Sequence, residues 1–110
     1  MDTIDADDGW GFDPELERLE RLSNRVIDLI EHRRLDEAES VCLELKRQFP
    51  DAMDWIERMG AVHEARGDAI QAIAMYRQCI EFIDQDPDGF DEECTAFFLD
   101  AISRLAGTPK

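Results

Sequence analysis

The chain has 110 residues, 27 acidic and 12 basic side chains, and a formal net charge of -15. That length holds one domain with a modest core and leaves no room for a separate cofactor lobe. So acidic a chain repels phosphate backbones and anionic membrane surfaces, and no apolar run approaches the roughly 18 residues of a membrane span, so neither nucleic acid nor membrane is an expected partner.

Residues 1–20 carry -7, residues 21–80 carry -2 and residues 81–110 carry -6, so the middle is nearly balanced between two acidic ends. An acidic amino terminus lacks the basic start of a signal or transit peptide, and a cytoplasmic location is expected. Residues 1–12 are too acidic and too poor in apolar side chains to collapse, and are predicted to be a disordered tail. Its Trp10 and Phe12 have two readings: a staple onto the first helix, or a docking pair for a groove or partner.

Asp13-Pro14-Glu15 is a helix start, with an aspartate to cap, a proline for the first turn and acids that suit the dipole. Leu16, Leu19, Leu22, Val26, Leu29 and Ile30 recur at three and four, which predicts a helix to about His32. Asp36 is expected to open the second helix, with Ala38, Val41, Cys42, Leu45 and Phe49 inward and Pro50 as its stop. Asp51 is expected to cap a third, with Met53, Ile56, Met59, Gly60 and His63 inward, and Asp68 a fourth that runs to about Ile83. A turn-rich linker over residues 84–89 leads to a last helix from Asp91 to Leu105, ended by Gly107 and Pro109. The fold class is therefore all-α with about five helices, in one domain over residues 13–106, followed by a flexible end at 107–110.

Sliding the sequence on itself by 34 positions brings structural residues into register. Leu22 meets Ile56, Val26 meets Gly60, Leu29 meets His63, Ala38 meets Ala72, Cys42 meets Tyr76, Leu45 meets Cys79 and Phe49 meets Ile83. The second copy has Ile56, Met59-Gly60, Ala72 and Tyr76, with Trp55 one place early and His63 at the aromatic position, and the first has Leu22, Leu29, Ala38 and Pro50. In this spacing and in these residues the chain resembles the tetratricopeptide repeat (TPR) family over about Leu22 to Ile83. The resemblance implies an antiparallel helix-hairpin solenoid with a right-handed superhelical path, the last helix capping the second repeat. Gly60 with Ala72, and Val26 with Ala38, are the expected close crossings.

In TPR proteins the first helix of each pair lines a concave groove. Carried over, the groove positions are Ser23, Ile27, Ile30 and Arg34 from the first repeat and Glu57, Arg58, Ala61, Glu64 and Ala65 from the second. The lysine and asparagine of the family's carboxylate clamp are replaced here by Ser23 and Ile27, so an apolar or amphipathic segment of another protein, helical or extended, fits better than a free carboxylate. Arg34 and Arg58 are expected to pair with Glu57 and Glu64. Phe97 and Phe98 leave their helix about 100° apart, which predicts Phe98 in the core and Phe97, with Phe90, in an exposed patch.

Cys42, Cys79 and Cys94 show no metal spacing, and His32 and His63 have no ligand pattern around them, so no metal or cofactor is expected. A nucleophile with its base and a phosphate-cradling loop are likewise missing from the pattern, which speaks against an enzyme. The expected class is a small adaptor or chaperone. The alternative is a self-assembling subunit, in its simplest form a homodimer, that covers the open edge of a short solenoid with a second copy.

Overall fold

Asp13 accepts the amide of Glu15 at 3.0 Å and Pro14 takes the first helical position, so helix α1 (Pro14–Glu31) starts where its sequence signals it. The structure, a computed structural model, describes residues 13–89 and 92–107. Over these residues the chain is all-helical, with α2 (Leu35–Gln48), α3 (Asp54–Ala65), α4 (Ala69–Gln85), a 3-10 turn (Pro87–Gly89) and α5 (Glu92–Leu105) after α1. Trp10, Phe12 and Phe90, the expected tail at 1–12, and all of the expected end at 107–110 except Gly107 lie outside the described residues.

Asp68 caps α4 by accepting the amide of Gln71 at 3.2 Å, as expected. Two other starts differ from the sequence reading. Helix α2 begins at Leu35 rather than Asp36, with Arg34 at the cap and no side-chain bond there. Asp51 does not cap α3: the amide of Ala52 bonds back to the Phe49 carbonyl at 3.1 Å, and Met53 becomes the residue whose carbonyl takes the first helical amides, from Ile56 and Glu57. The four-residue turn closed on Phe49 uses up Asp51 before the helix opens.

Each helix packs on the next, and α1 also touches α3. Arg18, near the start of α1, donates to Gln48 at 2.9 Å and lies over the Phe49 ring at the end of α2, so these two helices are antiparallel. One cluster, built on Val26, Leu29, Ala38, Cys42, Leu45, Met59 and Val62, fills the first hairpin and its contact with α3. A second, built on Ile56, Ala72, Tyr76, Cys79, Ile83, Phe98 and Ala101, joins α3 to α4 and α5. Trp55 and Met75 pack on both clusters and weld them into one core. The Trp55 indole donates to the Pro50 carbonyl at 3.2 Å while Lys46 sits over its ring, which fixes α3 against the end of α2.

The turns of the two hairpins lie 34 residues apart. Residues 32–34 join α1 to α2, residues 66–68 join α3 to α4, and both turns hold one left-handed residue, Arg33 at φ 60° and Gly67 at φ 81°. Glycine takes that conformation freely, whereas an L side chain is strained in it. Arg33 is held there partly by donating to the Ala65 carbonyl at the end of α3, at 3.2 Å. Opposite changes at these two positions should therefore have opposite effects. Arg33→Gly should raise stability by up to about 1 kcal/mol, and Gly67→Ala, whose added methyl meets no atom within 4 Å but sits on a strained backbone, should lower it by about 1 kcal/mol. Thermal unfolding of the pair reads both signs; a loss in Arg33→Gly would show the Ala65 contact outweighing the strain.

The close crossing of the second hairpin is not the expected one. A Cβ placed on Gly60 would lie 2.6 Å from Cε1 and 2.9 Å from Cδ1 of Tyr76, so the glycine makes room for the tyrosine ring more than for Ala72. Thirty-four residues back, the matching pair is Val26 and Cys42, both fully buried in the first cluster. One hairpin thus holds a medium and a small side chain where the other holds none and a ring.

Candidate functional site

Three stripes of α3 face three neighbours. Ile56 and Gly60 face α4, Met59 and Val62 face the first hairpin, and Glu57, Ala61 and Glu64, at i, i+4 and i+7, share a third side, from which Glu64 reaches Arg104 of α5. Ala61 and Ala65 are half-buried there, and so is Ile27 on α1, which belongs to neither core cluster. These three are the expected apolar groove positions that neither core cluster takes in.

The other expected groove residues are arranged differently. Ser23 is 3% exposed, so it cannot line an open groove. It sits in the contact between α1 and α3, where its carbonyl accepts Arg58 Nε at 3.3 Å and its hydroxyl has no partner among the described residues. Ile30 packs on the first cluster. Arg34 does not reach Glu57 or Glu64: it is spent on Glu37, one turn into α2, with Nη2 donating to Oε2 at 2.8 Å. Being exposed, that pair adds little to stability. Arg58 does meet Glu57, at 3.4 Å.

Glu64 has two partners that local sequence patterns do not announce. Tyr76 donates its hydroxyl to one carboxylate oxygen at 2.9 Å, and Arg104 of α5 donates to the other at 2.6 Å. The carboxylate thereby ties α3, α4 and α5 together. Replacing Tyr76 with Phe should cost about 1 kcal/mol for the lost bond. Burial first, and the Glu64 bond second, push the Tyr76 phenol well above the ordinary tyrosine range. The unfolded chain then gives up this proton at lower pH than the folded one, so the contribution is whole below about pH 10 and is lost as pH rises beyond it. Tyr76 is the single tyrosine of the chain. Tyrosinate absorbance against pH reads this group directly and should show its onset well above that of the urea-unfolded chain; coincident curves would mean the hydroxyl is not held by Glu64.

The amino-terminal halves of α3 and α5 enclose an open pocket of about 360 Å³, lined by Met53, Glu57, Glu93, Cys94, Phe97 and Phe98. With Glu64 and Arg104 meeting near the other ends of the two helices, α3 and α5 run in the same direction with a groove between them. Phe98 is 2% exposed and forms the floor, while Phe97, 58% exposed, stands edge-on to it at 5.2 Å between centroids. That is the split their adjacency predicts. Burial raises the Glu57 carboxyl above the usual range, with Arg58 pulling it back and Asp54 pushing it further up.

The chain matches no known family model, no curated protein and no solved structure. Burial pushes the thiols of Cys42 and Cys79 up to about 12, which makes them small apolar core groups without nucleophilic character. Among the described residues no group of three His, Cys, Asp or Glu side chains is placed to hold a metal ion, and no helix is long and apolar enough to cross a membrane. What the face can do is offer apolar side chains framed by carboxylates.

Proposed function

We propose that the chain is a non-enzymatic protein-interaction module: two TPR-like helix hairpins capped by α5, whose α1 and α3 face receives an apolar or amphipathic segment of a partner protein. The observation that carries this reading is the hairpin itself recurring at 34 residues, with turns at 32–34 and 66–68 and left-handed Arg33 and Gly67 in matching places. A repeated hairpin leaves one helix of each pair with a side that its own core does not use, and the partial exposure of Ile27, Ala61 and Ala65, outside both core clusters, supports assigning them to that side. A small adaptor or chaperone is the role such a face suits, in the manner of an amphipathic segment laid into a helical groove.

Selection of a displayed random peptide library on the purified chain tests the reading. Enriched peptides should share apolar anchors at helical or alternating spacing. Ile27→Asp with Ala61→Asp should abolish the enrichment while leaving the helical circular-dichroism signal unchanged. Failure to enrich any motif, or enrichment that survives both aspartates, would contradict it. Light scattering over a concentration series separates it from the self-assembling alternative, which requires a dimer that dissociates on dilution.

A further inference from the structure

The pocket between α3 and α5 differs in chemistry from the rest of the face. Its apolar floor and wall, Phe98 and Phe97, are flanked by Glu57 on one helix and Glu93 on the other, and among the described residues no base lines it. Arg104 is committed to Glu64, and Arg58, shared between the Ser23 carbonyl and Glu57, offsets only part of the burial that raises the Glu57 carboxyl, while Glu93 stands exposed on the other helix. Glu57 is held partly out of water beside an aromatic ring, a costly place for a carboxylate that an incoming cation would improve.

We infer that this groove takes a cationic amphipathic segment of a partner protein, an apolar side chain seated on Phe97 and Phe98 with a neighbouring lysine or arginine set against Glu57 and Glu93. The inference rests on the reading of the chain as an interaction module and names the chemistry of its partner. Charge decides among the occupants. A second copy brings its own net charge of -15 against the same acidic rim. Residues 1–12, with four aspartates and no base, have the wrong sign as well. A segment with its basic residue one helical turn from a leucine, methionine or aromatic residue meets both halves of the site at once.

Three synthetic helical peptides test this on the full chain, by fluorescence anisotropy at physiological salt: one alternating leucine and lysine faces, one with glutamate for lysine, and one with serine for leucine. The leucine–lysine peptide alone should bind. Phe97→Ser, and separately Glu57→Gln with Glu93→Gln, should each weaken it by about tenfold or more, whereas removing two exposed acids of α4 with Glu81→Gln and Asp84→Asn should change it less than about twofold. Equal binding of the serine–lysine peptide would reduce the effect to diffuse charge and overturn the inference. If leucine–lysine binding survives Phe97→Ser but is lost with Ile27→Asp, the interaction module stands and the groove assignment falls. A gain in affinity on replacing Trp10 and Phe12 would give the groove to the chain's own tail, and a dimer dissolved by Phe97→Ser would give it to a second copy; either result overturns the proposal.

Discussion

Gly60→Val is expected to be among the most damaging single changes in the chain, costing about 3 kcal/mol or more in urea or thermal unfolding. Its Cβ alone would come within 2.6 Å of the Tyr76 ring, and that ring is 4% exposed with Phe98 against it at 5.8 Å, so it has nowhere to move. Valine is the residue found 34 positions earlier, where the facing helix presents Cys42 at the place of Tyr76. Installing that pair whole, as Gly60→Val with Tyr76→Cys, should therefore be less harmful than the sum of its parts, by about 0.5 to 3 kcal/mol of coupling. The double variant still loses the bond to Glu64 and will not recover full stability. Additive losses would mean that the two hairpins do not share one packing register.

Phe98→Ser is expected to unfold the chain or come close to it. Truncating a buried phenylalanine costs about 3–5 kcal/mol, and a hydroxyl left in its place adds the cost of an unpaired polar group. A domain of this size has only about 5–15 kcal/mol in total. Phe97, next to it, is 58% exposed, and Phe97→Ser should stay within about 1 kcal/mol of the parent. Circular dichroism melts of the two variants make the comparison. A Phe97→Ser chain as unstable as Phe98→Ser would place that ring in the core and remove the wall of the groove.

The local features of this fold are written where short-range chemistry acts. Asp13-Pro14 and Asp68 start helices because a carboxylate two or three residues ahead of an unpaired amide is enough. The adjacent pair Phe97 and Phe98 separates into surface and core because a helix turns about 100° per residue. Asp51 misleads because its capping chemistry is the same as that of Asp68, while the turn closed by Ala52 onto Phe49 depends on how Pro50 leaves α2. Ser23 is a polar side chain in a contact between α1 and α3 that no periodicity within α1 reveals. The link from Glu64 to Tyr76 and Arg104 spans 12 and 40 residues, and polar side chains that far apart carry no mark of their pairing until the helices are docked. The same holds for the pocket, which needs α5 set beside α3 before Glu57 and Glu93 share a rim.

Amide chemical-shift mapping of the isotopically labelled chain, titrated with the leucine–lysine peptide, tests the central claim most directly. Binding by the face described above shifts the amides around Ile27, Arg58 and Ala61 and those of Glu93 and Phe97, and leaves Leu43 on α2 and Ile70 at the start of α4, both exposed apolar side chains, unchanged. Shifts gathered on Leu43 and Ile70, with Ala61 and Phe97 silent, would contradict it.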